Sequence, residues 1–345
     1  MKKIYIGQLL PKKAHLPILY PNLGAIDRPS RLFFNYASAF SEKFFELCAD
    51  PAHADFLMIP HDYFYISSDR SYVDSFVALA KKHSKTILIF DHSDLDLDID
   101  VDIQYSIVFR VARYRHQLKP NEIIMPPIIE DLGAQGIFIR PKGPKPVVGF
   151  CGYAGFKTLK DRAKYALRCA LYAAKSLWDP HAPAHMPGLY FRRASMQELK
   201  KSGAIETDFI VRSTYSGHKD SIELDPAEAR GQYIANMAGS DFALCPKGDG
   251  NYSNRFYEAL SLGRIPVLID TECVLPFEDE IDYGRLIVRV PYGNIDTAAQ
   301  KILERYDSLD DGAYAALQRD VRNIWTSKLS ATSFFRRIFD GGISS

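Results

Sequence analysis

The run from Asp241 to Tyr283, DFALCPKGDGNYSNRFYEALSLGRIPVLIDTECVLPFEDEIDY, reads as strand, loop, helix, strand. Phe242 to Pro246 and Ile265 to Asp270 are short and apolar on both faces, as strands of a buried parallel sheet are. Between them, Lys247-Gly248-Asp249-Gly250 forms a flexible loop that leads into a helix beginning near Ser253 and ending at Gly263. The helix start turns free N–H groups and a positive dipole end toward the strand ends, where an anionic phosphate binds. Arg255, in the first turn, can fork onto diphosphate oxygens. Glu258, three residues on, shares its face and can accept hydrogen bonds from both hydroxyls of a ribose. An Arg–Glu pair at this spacing is also common on solvated helices, where it is worth only about 0.2–0.5 kcal/mol. The Gly-rich loop before it and the buried strand after it favour a nucleotide site.

Outward from this segment, β-rich apolar runs recur along the first 130 residues: Lys3 to Gly7, Phe56 to Pro60, Thr86 to Phe90 and Ser106 to Val111. Between the first two, Leu32, Phe33, Tyr36, Ala37, Phe40, Phe44 and Leu47 form a helical stripe expected to cover the sheet. Gly, Pro and Lys concentrate between Asp131 and Pro146, the composition of a connection. A second alternating series follows: Val147 to Gly152, a helix around Leu159 to Leu177, Asp208 to Arg212, the two strands above, and Leu286 to Pro291. Asp225, Pro226 and Glu228 stand in N-cap, N1 and N3 order, and Gly239 closes that helix. Helical patterns near Ala313 to Trp325 and Ser333 to Phe339 precede a loose GGISS tail. The expectation is α/β, two Rossmann-like parallel domains facing a cleft: a first domain over 1–135, a linker over 136–146, a second domain over 147–325, and a last helix and tail over 326–345 that cross back.

Composition narrows the function. In 345 residues, 43 Lys and Arg nearly cancel 42 Asp and Glu, so no net positive field holds a nucleic acid or an anionic membrane. Five widely spaced cysteines without a CxxC pair read as reduced packing residues. The apolar stretch after Lys2 and Lys3 is short and closed by Pro11, and charges interrupt every later run, so no signal peptide or membrane span is expected. The expected location is cytoplasmic.

The ordered set Phe242, Leu244, Pro246, Gly248, Ser253, Arg255, Glu258, Ala259, Gly263, Pro266, Val267 and Leu275-Pro276-Phe277 resembles the exostosin family of glycosyltransferases. Weaker similarity extends to Tyr233 through Met237, Ser240, and Val148 through Gly152. The resemblance implies a GT-B fold, inversion at the anomeric carbon, a nucleotide-sugar donor (a UDP-sugar is favoured), a saccharide or glycoconjugate acceptor, and no bound metal. Arg264 departs from it, since many relatives carry Cys there. Two rivals stand beside it: a fucosyltransferase-like enzyme using GDP-fucose, and a non-catalytic nucleotide-sugar-binding subunit.

The donor candidates are Arg212, at the carboxyl end of its strand, with Lys247, Gly248, Ser253, Asn254, Arg255 and Glu258. The catalytic base is expected from the first domain, where His61-Asp62 and Asp91-His92 follow two parallel strands. Asp91 is favoured because it ends its strand directly, and the aromatics after Asp62 suit a sugar ring. The alternating acids of Asp94 to Asp100 read as a solvated edge rather than a cation site, and His181 and His185 as loop histidines among prolines.

Overall fold

The computed structural model describes residues 1–24, 39–40, 42–96, 98–215 and 224–341. Two wholly parallel sheets account for all the strands described in them. The first contains β1 (Lys2–Tyr5), β2 (Phe45–Leu47), β3 (Phe56–Met58), β4 (Thr86–Asp91), β5 (Ser106–Arg110) and β6 (Glu122–Ile124), in the order β2-β1-β3-β4-β5-β6. The second contains β7 (Val147–Tyr153), β8 (Glu206–Arg212), β9 (Phe242–Cys245), β10 (Ile265–Asp270) and β11 (Val288–Pro291), in the order β11-β10-β9-β7-β8. In each sheet the strand order reverses near the middle, the place where doubly wound sheets bind ligands.

Helices follow the strands. Two short turns, α1 (Tyr20–Leu23) and α2 (Tyr63–Ile66), precede α3 (Arg70–His83) in the first domain. The second carries α4 (Leu159–Lys175), α5 (Gly188–Lys201), α6 (Pro226–Ala238), α7 (Asn254–Ser261), α8 (Tyr283–Leu286), α9 (Ala298–Asp307) and α10 (Asp311–Ile324). Local chemistry sets their ends. Asp225 accepts from Glu228 N–H at 3.0 Å and Gly239 closes α6. After α7, Gly263 adopts φ +67°, where an added Cβ would lie 2.9 Å from the Gln318 carbonyl oxygen. Only glycine turns the chain into β10 there.

A five-residue π turn, Trp325–Leu329, redirects the chain after α10 into α11 (Ala331–Gly341). That last helix packs on the first sheet: Phe335 stands 5.9 Å from Phe90 and Phe339 5.1 Å from Phe45, ring centre to ring centre. Two parallel α/β sheets with their carboxyl edges toward a shared cleft form the GT-B arrangement.

Some expectations change. Of the stripe from Leu32 to Leu47, Leu32, Phe33, Tyr36 and Ala37 lie outside the described residues, and Phe45–Leu47 pairs with β1 as an edge strand. Pairing with a buried strand overrides helical spacing there. Strand β6 escaped the sequence reading because Glu122 stands in it, and that carboxylate is buried by Arg110 and Arg113. The acids Asp94, Asp96, Asp98 and Asp100 are exposed, as a solvated edge requires, and the last three also pair with cations. Asp96 bonds Arg113 at 2.7 Å, Asp98 pairs with Lys119, and Asp100 bonds Arg70 at 2.7 Å, while Leu97 lies outside the described residues. The last four residues of the tail also lie outside them. Among the described residues no helix is long and apolar enough to cross a membrane.

Candidate active site

A cleft of about 640 Å³ opens between the carboxyl edges of the two sheets. Asp94 and Ile128 to Glu130 line it from the first domain; the ends of β7 and β8, the loop after β9 and the first turns of α7 line it from the second. Ser253 stands at the N-cap of α7 without making a side-chain cap bond. Asn254 turns a buried Oδ1 that has no partner among the described residues. A buried acceptor left open beside a helix N-terminus is a position for a ligand donor.

Arg255 is held before any ligand arrives. Its guanidinium stands 4.1 Å from the Phe150 ring centre and 5.3 Å from that of Tyr233, and it donates to the Cys151 carbonyl at 2.5 Å. Aromatic faces on a cation fix its plane while leaving other N–H groups for an anion. Glu258 is buried one turn deeper, accepting from Tyr233 Oη at 2.5 Å and Arg230 Nη1 at 3.2 Å. Burial and the Glu258 charge push the Tyr233 phenol well above its usual value, so it remains a donor. Arg230 reaches Glu130 of the segment after β6 at 2.6 Å, tying the carboxylate to the other wall.

Arg212 lines the cleft at the end of β8, yet it donates to the Ala229 carbonyl at 3.1 Å and to Gln232 at 3.2 Å, with Nε unpartnered among the described residues. Gly248 lines the cleft and Lys247 does not. Lys247 is buried, donating to Tyr114 Oη at 2.8 Å and the Ala184 carbonyl at 2.7 Å, and burial lowers its pKa to about 7. It joins the donor loop to the first domain, which corrects its reading as a second phosphate cation.

Arg192 of α5, which the sequence reading missed, takes that place. It lines the cleft, donates to the Tyr153 carbonyl at 2.9 Å and leaves Nε unpartnered among the described residues. Burial and the charge of Arg255 lower its pKa to about 10, still protonated at neutral pH. The adjacent pair Arg192-Arg193 in a helical stretch was the available signal.

The backbone of the donor loop rests on the start of α5. A Cβ on Gly188 would lie 2.2 Å from the Gly248 carbonyl oxygen and 2.6 Å from that of Lys247. Gly188→Ala is therefore expected to displace the loop, lowering stability by about 1–3 kcal/mol and weakening nucleotide binding. Thermal melting with and without UDP checks this; an unchanged melt and an unchanged UDP shift would show that the loop does not depend on that contact.

In the first domain the expected roles are redistributed. His61 is fully buried, its Nε2 accepting from Leu10 N–H at 2.9 Å and its Nδ1 donating to the Ala14 carbonyl at 2.9 Å. Both nitrogens serve the backbone, and burial lowers the pKa, so His61 holds the loop after β1 instead of a substrate. Asp91 is also closed off: it is 1% exposed, accepts from Arg110 Nη2 at 3.2 Å, and burial raises its pKa. Asp91 therefore does not face the cleft as a base.

His92 and Asp62 form a dyad. One Asp62 oxygen accepts from His92 N–H at 2.9 Å and from His92 Nδ1 at 2.8 Å; the other accepts from Phe64 N–H at 3.0 Å. A carboxylate that accepts a hydrogen bond from Nδ1–H leaves Nε2 as the nitrogen without a proton. Neither Asp62 nor His92 lines the cleft itself; Asp94, two residues on, does, and it accepts from Tyr252 Oη of the loop after β9 at 2.6 Å.

One further cluster concerns metal. His116, His181 and Glu272 place a ligand atom each within 4.8 Å of one another, away from the cleft-lining residues. The imidazoles stack at 3.7 Å and both Nδ1 atoms approach Glu272, at 2.6 and 2.8 Å, which satisfies the carboxylate by hydrogen bonds and links the domains. The prolines around His181 and His185 permit a short 3-10 turn, Ala182–His185, and His185 stacks on Tyr114 at 3.8 Å.

The Arg255–Glu258 helix and its two supporting arginine helices coincide with a recognised domain: residues 187–306 match the Exostosin GT47 domain. Over these residues the chain is similar to the exostosin family. Similar sequences include a probable glucuronosyltransferase of Oryza sativa subsp. japonica, 38% identical over 79 residues, covering 23% of this chain and 19% of the relative. Exostosin-1 of Drosophila melanogaster is 41% identical over 70 residues, covering 18% of this chain and 9% of the relative. The chain thus spans less than a fifth of the length of these relatives. Among solved structures, TarM is similar with a TM-score of 0.36 at 12% identity, covering 74% of this chain and 50% of that one. A glycosyltransferase from Rickettsia africae ESF-5 gives 0.40 at 11% identity, covering 83% and 76%. The matching stretch runs from α5 through α9 and so contains Arg192, Arg230, Arg255 and Glu258.

Proposed function

We propose that this protein is an inverting glycosyltransferase that moves a sugar from a nucleotide-sugar donor, a UDP-sugar by preference, to a saccharide acceptor in glycan synthesis. The observation that carries the reading is the preset donor helix: Arg255 clamped between Phe150 and Tyr233, Glu258 one turn below, and Asn254 Oδ1 open at the helix start. Arg255 and Arg192 bind the diphosphate and stabilise the charge that develops as it leaves. Glu258 receives the ribose hydroxyls. His92, oriented by Asp62, takes the proton of the acceptor hydroxyl as that oxygen attacks the anomeric carbon from the first-domain side.

The donor wall uses cations for the leaving group. Of its carboxylates, Glu258 is bonded to Arg230 and Tyr233 and Asp161 to the capping box of α4, which leaves Asp249 of the loop after β9 as a single cleft-lining acid rather than a carboxylate pair. Transfer is therefore expected to persist in EDTA. The test is a thermal-shift screen against UDP- and GDP-sugars, followed by transfer assays on saccharide acceptors with and without chelator. No shift with any nucleotide sugar overturns the donor assignment, a shift without turnover marks a binding subunit, and activity lost in EDTA and restored by manganese overturns the cation mechanism.

A further inference from the structure

Helix α4 stands on the second domain with no buried residue. Its half-buried side, Asp161, Tyr165, Cys169 and Tyr172, faces the protein, with Tyr165 set against Phe156 at 5.2 Å. On the opposite side, at helical spacing, Leu159, Ala163, Leu167 and Leu171 form a continuous apolar stripe, and Leu177 and Trp178 stand exposed in the turn just past the helix end. Leu159 is 83% exposed, Leu177 82% and Trp178 72%. A globular protein does not ordinarily leave such a stripe in water.

Charge identifies what covers it. Lys164, Arg168 and Lys175 run along one border of the stripe, Arg162 lies on the other and Lys160 within it; among the described residues none of them forms an ion pair. The helix's single acid, Asp161, is spent on Thr158 in the capping box. We propose that the exposed face of α4 docks the protein on an anionic lipid surface, leucines and Trp178 entering the interface and the flanking cations meeting the headgroups. An apolar face bordered by Lys and Arg, with a Trp at its end, suits that interface, whereas a protein partner would favour a mixed-sign rim. The near-neutral balance of the whole chain conceals this local excess. Lys164 and Arg168 also line the cleft, so docking sets the cleft mouth at the lipid surface.

The full-length protein, without nucleotide, is floated with phosphatidylcholine vesicles and with vesicles that also contain phosphatidylglycerol. Binding is expected to the second kind only, to weaken at high salt, and to fall at least about tenfold in Leu167→Glu/Leu171→Glu. Both leucines are exposed, so the melting temperature of that variant is expected to match the parent. Equal or no binding to the two vesicle types, or a variant that floats like the parent, overturns the proposal. A concentration-dependent dimer that the same substitutions abolish, without vesicle binding, assigns the stripe to a protein interface instead and overturns it equally.

Discussion

His92→Ala is expected to lower the transfer rate roughly 10²–10⁴-fold while leaving UDP affinity unchanged, because a general base contributes that share and His92 belongs to the first domain, not to the helix that carries Arg255 and Glu258. Asp62→Asn should follow in the same direction but less steeply, about 10–100-fold, since it removes the acceptor that fixes the Nδ1 proton and ring orientation and leaves the imidazole in place. Asp91→Asn should behave differently: it loosens a bond to the fully buried Arg110, so the melting temperature falls. Initial rates at saturating donor, calorimetric titration with UDP and thermal melts separate these outcomes. A normally folding Asp91→Asn that is inactive, beside an active His92→Ala, would return the base to Asp91.

Arg255→Ala is expected to weaken UDP binding by about 1.5–3 kcal/mol, roughly 10- to 150-fold in Kd, the range for hydrogen bonds to charged groups. Stability should change little, because Arg255 is only half-buried and lines the cleft. Glu258→Gln is not its equivalent. Glu258 is bonded to Tyr233 and Arg230, so the substitution weakens nucleotide binding and also costs about 1–3 kcal/mol of stability. Calorimetry with UDP, read beside thermal melts, distinguishes the two. Unaltered UDP affinity in both variants overturns the donor assignment.

The contrast between these residues shows where sequence reading ends. Consecutive side chains at a strand end point to opposite sides, so Asp91 and His92 cannot both face the cleft. The sequence places them side by side and is silent on which side is open. Arg110, on the neighbouring strand, draws Asp91 inward, and Asp62, thirty positions earlier in the chain, draws His92 into a dyad. Lys247 follows the same logic: a lysine beside two glycines reads as a loop cation, and only the arrival of Tyr114 and Ala184 buries it.

By itself the sequence determined the two-sheet α/β class, through apolar runs too short for buried helices and apolar on both faces. It also determined the β9-loop-α7-β10 unit, with Arg255 and Glu258 on one helix face, and the ends of α6, through Asp225 and Gly239. These are local properties, fixed by spacing, capping and backbone freedom within a few residues. Tertiary structure alone decided which polar groups are consumed by the fold and which remain for a ligand. It brought Arg192 and Arg230 from two other helices to the Arg255 helix, closed His61 and Asp91, joined His92 to Asp62, and left the apolar face of α4 uncovered. The reason is that availability is a pairing property: a charge or an apolar face is free only when no partner distant in sequence reaches it, and chain order does not record that distance.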